Sequence, residues 1–297
     1  VMKKHHIQVC GIEDSNYPRL LKHCADAPLV LFYKGSLEDS DTRNIAIVGT
    51  RKATEVGKKR VDTLLHELAG AGYHPNIISG LAYGIDITAH TACVHYGLKA
   101  QAVLGHGLHM VYPASHKNMA EKILEQGGAL ISEFPTCAQI LPTNFLQRNR
   151  IVAGMSEAIL VAESPIKGGA MSTARQALSY NRDVMAIPGR PEDPTFAGCN
   201  LLIKQNIAAL VENVKDLLRI LNWPPLPTEP YQMSLDLFPV TNNEVLIMET
   251  LAKMGEQNID QLHQLTHIPV HDLSVLLLKL ELEGHVMQLP GNCYTLI

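Results

Sequence analysis

Across residues 45–211, short aliphatic runs ending on glycine or a small polar residue alternate with stretches whose apolar positions recur every three or four residues. A run of four to six aliphatic residues reads as a strand buried on both faces, and the longer periodicity reads as a helix with one apolar face. Strands are therefore predicted at 45–50 (IAIVGT), 76–80 (NIISG), 101–105 (QAVLG), 129–133 (ALISE), 158–163 (AILVAE) and 183–189 (DVMAIPG). A last strand or strand edge falls at 208–211. Helices are predicted over 56–71, 82–96, 118–126, 148–156, 171–180 and 200–205, with Gly72 and Gly97 as stops. This alternation predicts an α/β fold: a parallel sheet with helices on both faces. In such a sheet ligands bind beyond the carboxyl ends of the strands. The loops after Val48, Ser79, Leu104, Ser132, Glu163 and Ile187 are thus expected to converge on one site.

The pattern changes after residue 221. Residues 222–240 (NWPPLPTEPYQMSLDLFPV) hold five prolines and read as a semi-rigid linker. Two short helices follow at 242–254 and 258–266, and a third runs from near Pro269 to Glu283, closed by Gly284. HVMQLPGNCYTLI then reads as a hairpin turning at Pro290-Gly291. Three helices and a hairpin suggest a small C-terminal winged-helix domain. The expected division is a lead-in to the sheet at 1–44, the α/β domain at 45–221, the linker at 222–240 and the winged helix at 241–297.

Charge sharpens that division. The net charge of −4 looks unsuited to a nucleic-acid partner. Residues 241–297, however, carry seven acids and two lysines, which leaves 22 acids and 23 basic residues in 1–240. The acid belongs to the tail, and the α/β part needs only a local cluster of Lys and Arg to face phosphate. With aromatics at 5%, a wide stacking sheet for RNA is not expected. The six cysteines include no CxxC pair, and no apolar run approaches the length of a membrane span. The N-terminus has no apolar stretch after its lysines, so it is not read as a signal peptide. A reduced, cytoplasmic protein without membrane contact is expected.

Four segments carry candidate chemistry. In VGTR (48–51), Gly49 lets the backbone approach a phosphate and Arg51 offers a bidentate fork; packing alone also explains such a glycine. In SGLAYGIDITAH (79–90), N–H groups at a helix start form an anion site beside Asp86. The alternative there is a simple helix cap with a buried His90, and the segment lacks the spacing of a dinucleotide fingerprint. In FLQRNR (145–150), Arg148 and Arg150 can clamp phosphates while Phe145 stacks on a base; the alternative is a surface ion pair and a core Phe. In KGGAMSTA (167–174), Gly168 and Gly169 expose backbone N–H groups, Ser172 and Thr173 add hydroxyls, and Lys167 and Arg175 add charge. It is not a Walker A motif. His106, His109 and His116 lie within eleven residues without convergent cysteines or carboxylates, so no metal is expected. No Ser-His-Asp or Cys-His set stands out, and neither a catalytic residue nor a cofactor is expected.

In this order VGTRKATEVG, SGLAYGIDITAHTACVHYG, VLGHGLHMVYP, LISEFP, NFLQRNRIVAGMS, LVAESPIKGGAMSTARQALSYNRDVMAIPG and GCNLLIKQNIA resemble the DNA-processing protein DprA (Smf) family. The resemblance covers about residues 14–215, and the tail is similar to the family's optional winged-helix domain. It implies an extended Rossmann-like fold, single-stranded DNA binding, a homodimer formed through that domain, and interaction with the RecA recombinase. It further implies that the protein protects incoming strands and loads RecA on them in natural transformation. Carried over by motif, Arg51 contacts phosphate; Ser79, Gly80 and Gly84 line the pocket; Phe145, Arg148, Asn149 and Arg150 border it; Gly168, Gly169, Ser172 and Thr173 close it. The chain departs from the pattern at His109, where the family often has Asp, and at Leu146, where it often has Pro. Some members carry a DNA-binding Lys just before this Phe-Leu segment, whereas residues 138–144 here contain none.

Three functions compete. A non-catalytic binding module holds a strand by its phosphates. An N-glycosidic hydrolase of nucleoside monophosphates would need a PGGxGTxxE motif; GGAMSTARQA has no Glu, and Glu163 precedes the glycines. A nucleotide sensor would use the same cradle for a small ligand. For the tail, residues 269–284 carry three acids and one Lys. A helix so charged meets repulsion in a DNA groove, so a protein-contact or regulatory role is expected.

Overall fold

The computed structural model describes residues 2–37, 43–223, 242–282, 285–289 and 293–296. The linker from 224 on and the Pro290-Gly291 turn lie outside them. The chain divides into two compact units, Val1–Leu226 and Pro227–Ile297.

In the first unit the elements are β1 (Gln8–Gly11), α1 (Arg19–Lys22), β2 (Val30–Gly35), β3 (Asn44–Gly49), α2 (Glu55–Gly70), β4 (Asn76–Ser79), α3 (Ile85–Tyr96) and β5 (Lys99–Val103). They continue as α4 (Lys117–Glu125), β6 (Ala129–Ser132), α5 (Pro142–Met155), β7 (Ala158–Glu163), α6 (Gly169–Ser179), β8 (Asp183–Ala186), α7 (Ala197–Lys204), β9 (Ala209–Leu210) and α8 (Val214–Ile220). The nine strands form one sheet in the order β1-β2-β6-β5-β4-β3-β7-β8-β9. From β6 to β9 all pairs are parallel, as the alternation predicts. β1 and β2 are antiparallel additions to one edge. Segment 1–44 thus supplies two strands of the sheet, which its pattern did not announce. β1 buries one of its four residues, and β2 buries only alternate positions, the mark of a sheet margin rather than its centre.

The central strands are buried on both faces because both are covered. Ile45, Ile47, Leu160 and Ala162 face one core, with Leu64, Leu65 and Leu68 of α2 and Ala89 and Cys93 of α3. Ala46, Val48, Ile159 and Val161 face the other, with Ile151 and Val152 of α5, Ala170 and Ala174 of α6, and Leu202 of α7. This is the two-residue alternation of a strand read on both faces at once. The chain winds from β3 outward through β4, β5 and β6, then returns to place β7 on the other side of β3. The loops after β3 and β7 therefore leave toward opposite faces, and a crevice opens between them.

A buried carboxylate fastens that crevice. Glu163, at the end of β7, is fully buried. Its oxygens accept from the Thr54 backbone N–H at 3.0 and 3.1 Å and from the Thr54 hydroxyl at 3.0 Å. Thr54 is in turn the N-cap of α2 and accepts from Gly57 N–H at 3.1 Å. The negative charge so placed also suits the α2 N-terminus.

The second unit comprises α9 (Asn242–Met254), β10 (Gln257–Asn258), α10 (Ile259–Thr266), α11 (Val270–Leu282), β11 (Val286–Leu289) and β12 (Cys293–Leu296). Its sheet has the order β10-β12-β11, and its core gathers Ile247, Leu251, Leu262, Leu273, Leu277 and Val286. Three helices and a hairpin appear as read from sequence, plus the short β10. Asn258 and Gln261 form a reciprocal capping box at the start of α10.

Gly57 supplies a test of the clasp. Replacing a helical Gly by Ala ordinarily stabilises by about 1 kcal/mol. A Cβ at position 57 would overlap Oε2 of Glu163. Gly57→Ala is therefore expected to destabilise by about 1–3 kcal/mol, through displaced buried hydrogen bonds. A lowered urea midpoint at unchanged m-value is the expected result; a midpoint at or above wild type contradicts it.

Candidate nucleic-acid interface

The crevice between β3 and β7 is a cleft of about 270 Å³. Three segments build it: the turn after β3, the turn between β4 and α3, and the start of α6. One face of α5 forms its wall.

The first turn is seated by close approach. Thr50 N–H donates to Glu163 O at 2.7 Å, and Ile85 N–H donates to Thr50 O at 3.2 Å. A Cβ on Gly49 would strike Ile85, and one on Gly84 would strike Thr50 O. Gly84 also has φ +76°, a backbone that side chains disfavour. These two glycines thus let the strand end nest on α3, which leaves Arg51 exposed at the mouth. Its guanidinium carbon stands 5.4 Å from the centre of the Phe145 ring.

The second turn is held by Asp86, which accepts from Gly80 N–H at 3.1 Å and Ala82 N–H at 3.4 Å. Between them Leu81 is buried with φ +55°, an uncommon backbone for a bulky residue. His116 Nδ1 lies 2.8 Å from Leu81 O and supports the turn from outside.

α5 starts at Pro142, earlier than the predicted 148, with Pro in its first turn. That start places Phe145, Arg148 and Asn149 at i, i+3 and i+4, on one face. All three line the cleft. Arg148 is 4% exposed and donates from Nη1 to Val103 O at 2.7 Å, while its Nε has no partner. A Cβ at position 80 would overlap this guanidinium, so Gly80 makes room for it.

In the last segment α6 begins on Gly168 and Gly169 with no side-chain cap. Gly168 N–H, expected to be exposed, instead donates to Pro165 O at 3.0 Å, and Met171 N–H donates to Gly168 O at 3.1 Å. The N–H groups of Gly169 and Ala170 between them can meet an anion. Gly168, Gly169, Ala170 and Thr173 line the cleft.

Burial dominates the electrostatics. It raises the Asp86 carboxyl above its ordinary range, offset by Arg148 and by the Ala82 and Gly80 N–H groups. Burial likewise pulls Arg148 down, and Arg51 adds to that while Asp86 opposes it. Both partners are disfavoured as ions, so desolvation outweighs their mutual attraction. An anion entering the cleft would restore what Arg148 lost. His90 beneath is fully buried, with both ring nitrogens unpartnered, and burial pushes it down to about 3; it is neutral.

Eight of the twelve expected residues line the cleft: Arg51, Gly80, Phe145, Arg148, Asn149, Gly168, Gly169 and Thr173. Four do not. Ser79 is buried and donates to Ile47 O at 2.6 Å. Gly84 acts on the turn, as above. Ser172 lies on α6 away from the lining. Arg150 sits five residues from Phe145, off the cleft face, and pairs with Glu133 and Asp26 O. The six loops also do not all meet. Those after β5 and β6 are tied to each other, with Ser132 Oγ donating to His106 O at 2.8 Å. The one after β8 is held by Asn200, which accepts from Gly189 N–H at 3.0 Å. Thr50, Asp86 and Leu146 also line the cleft without having been singled out as binding residues. Among the described residues no group of three or more His, Cys, Asp or Glu is placed to hold a metal ion. Nor, among them, is any helix long and apolar enough to cross a membrane.

Comparison with known proteins gives a consistent result. The profile described as DNA recombination-mediator protein A matches residues 8–222, and that of the DprA winged helix domain matches 244–292. Protein Smf of Escherichia coli is 37% identical over 294 residues, covering 97% of this chain and 76% of that protein. The X-ray structure of Streptococcus pneumoniae DNA processing protein A (DprA) is 36% identical, with a TM-score of 0.66 over 72% of this chain and 74% of that one. The Helicobacter pylori protein, whose structure was described for its single-stranded DNA binding mode, is 28% identical, with a TM-score of 0.62 over 73% and 97%.

A double-mutant cycle tests the buried pair. Asp86→Asn and Arg148→Met should show a favourable coupling of about 1–3 kcal/mol at neutral pH. The carboxyl titrates above its ordinary range, so the coupling should fade as pH drops through that raised value and Asp86 becomes neutral. Urea unfolding of the four proteins reads it. A coupling near zero at pH 7, or one growing toward acid, contradicts the assignment.

Proposed function

The chain belongs to the DNA recombination-mediator protein A family, and from that premise we propose that its cleft holds single-stranded DNA without catalysing a reaction. One observation carries the reading. Arg51, Phe145, Arg148 and Asn149 face the uncapped start of α6 across a single crevice. Two cations and free N–H groups suit phosphate, and a half-exposed Phe with Arg51 beside it suits a base. The likeness to a protein described for binding single-stranded DNA supports it.

Neither carboxylate at the cleft is free to attack a glycosidic bond. Glu163 has its oxygens committed to Thr54, and Asp86 to the turn it caps. In this reading the protein is cytoplasmic, dimerises through its Rossmann-like domain, and passes the strand to RecA. The winged-helix unit takes a protein-contact or regulatory role. Its α11 uses Lys279 inward, on the buried Glu244 at 2.6 Å, and turns Val275 and Leu278 outward. Neither outward residue attracts a phosphate.

The test is anisotropy titration of a labelled oligothymidylate at several salt concentrations. Arg51→Ala should weaken binding and flatten the salt dependence by about 0.7 in log–log slope for each phosphate it no longer neutralises. Phe145→Ala should cost about 1–3 kcal/mol, as removal of a stacking platform does. Unchanged affinity in both, or wild-type binding insensitive to salt, overturns the reading. For the RecA step, RecA filaments should form faster on single strands when the wild-type protein is present; an unchanged rate contradicts it.

A further inference from the structure

A second concavity, of about 480 Å³, lies against β2, β6 and α4. Its floor is apolar, made by Leu108, Met110, Val111, Leu124 and Leu130. Four basic side chains reach it from four places: His5 near the N-terminus, Lys34 on β2, His109 in the loop after β5, and Lys117 at the start of α4. Glu121 is the acid of the lining, 3.9 Å from Lys117, and both are largely exposed.

Lys34 is the informative residue. Among the described residues no carboxylate comes within ion-pair distance of it, and burial alone pulls its ammonium below the ordinary range. His109 Nδ1 is buried and makes no hydrogen bond. A half-buried ammonium with no carboxylate of the described residues in ion-pair reach, in the same concavity as an unsatisfied imidazole nitrogen, is costly for the protein alone. An anion among these groups would remove that cost. The apolar floor beneath would accept a flat, uncharged body attached to it.

Tyr112 lies between residues of the two linings. Tyr112 is 49% exposed, and its ring centre lies 5.8 Å from that of Phe145, which lines the cleft. The three residues before it, His109, Met110 and Val111, line the second concavity. A strand leaving Phe145 over Tyr112 would thus pass from one to the other across exposed aromatic and thioether surface. We propose that this concavity is a second nucleotide subsite. It takes a phosphate among His5, Lys34, His109 and Lys117, and the attached base on the apolar floor, from the strand that leaves the cleft. The proposal rests on the reading of the cleft as a single-strand site. A free nucleotide has the same chemistry, so the test separates the two sources.

Full-length protein and its Lys34→Gln and Lys117→Gln variants would be titrated with labelled oligothymidylates of about 4 and about 16 nucleotides. The longer one is expected to bind each variant roughly 3–10 times more weakly, with a salt slope reduced by about 0.7 for each phosphate the variant no longer neutralises. The shorter one, filling only the cleft, is expected to bind unchanged. If neither variant alters the longer oligonucleotide while the wild type binds both, the subsite is refuted and the cleft reading stands. If both lengths weaken equally, the lysines act through the cleft or the fold, and the subsite is refuted. If the wild type binds neither, both readings fall. Thymidine monophosphate added alone provides the other arm, read by the His109 imidazole resonance. A shift of that resonance without any effect of the variants on the longer oligonucleotide assigns the pocket to free nucleotide and overturns the strand version.

Discussion

The guanidinium of Arg148 occupies the space that a side chain at position 80 would fill, and the cleft is organised around that substitution of charge for packing. One of its donors reaches the carbonyl of Val103, its Nε has no partner, and Asp86 supplies the compensating charge. Asp86 can do so only because it is anchored by the N–H groups of the turn it caps. Turn and acid are joined by hydrogen bonds, and the arginine is coupled to the acid through charge. A buried charge seldom repays its desolvation in stability, even with an opposite charge nearby. What this one supplies is a fixed cation at the floor of a crevice, placed before any ligand arrives, which lowers the ordering cost of binding.

A second constraint acts on the opposite wall. Glu163 ends β7 and bonds to Thr54, which caps α2, so the strands on the two sides of the crevice are tied across their carboxyl ends. Thr50 adds a backbone bond to the same residue. The clasp leaves the loop bearing Arg51 on a rigid support while its side chain stays exposed. A fixed backbone with an exposed charged tip fits a ligand recognised mainly by its phosphates, whose spacing varies with strand conformation.

Much of this was legible in the sequence, because short aliphatic runs with glycine or small polar ends, alternating with helical patterns, mark central parallel strands. β3 to β8 and the helices between them follow that pattern. β1 and β2 did not announce themselves, since neither is buried on both faces: β1 buries one of its four residues and β2 only alternate positions. The site was legible by segment but not by side chain. FLQRNR points to the cleft, yet which arginine faces it depends on where α5 begins. Pro142 sets that phase: Arg148 turns in and Arg150 turns out to Glu133. Thr54 and Glu163 are separated by 109 residues, and no local pattern pairs them. The basic pocket around Lys34 was equally hidden. His5 and Lys34 lie far in sequence from His109 and Lys117, and only folding brings the four to one concavity.

The central claim is that one crevice of the first unit carries the strand. Hydrogen–deuterium exchange of the full chain with and without an oligothymidylate tests it most directly. The account predicts slowed exchange at Gly49–Lys52, Gly80–Asp86, Phe145–Asn149 and Gly168–Thr173. Protection absent there and confined to residues 242–296 would contradict it.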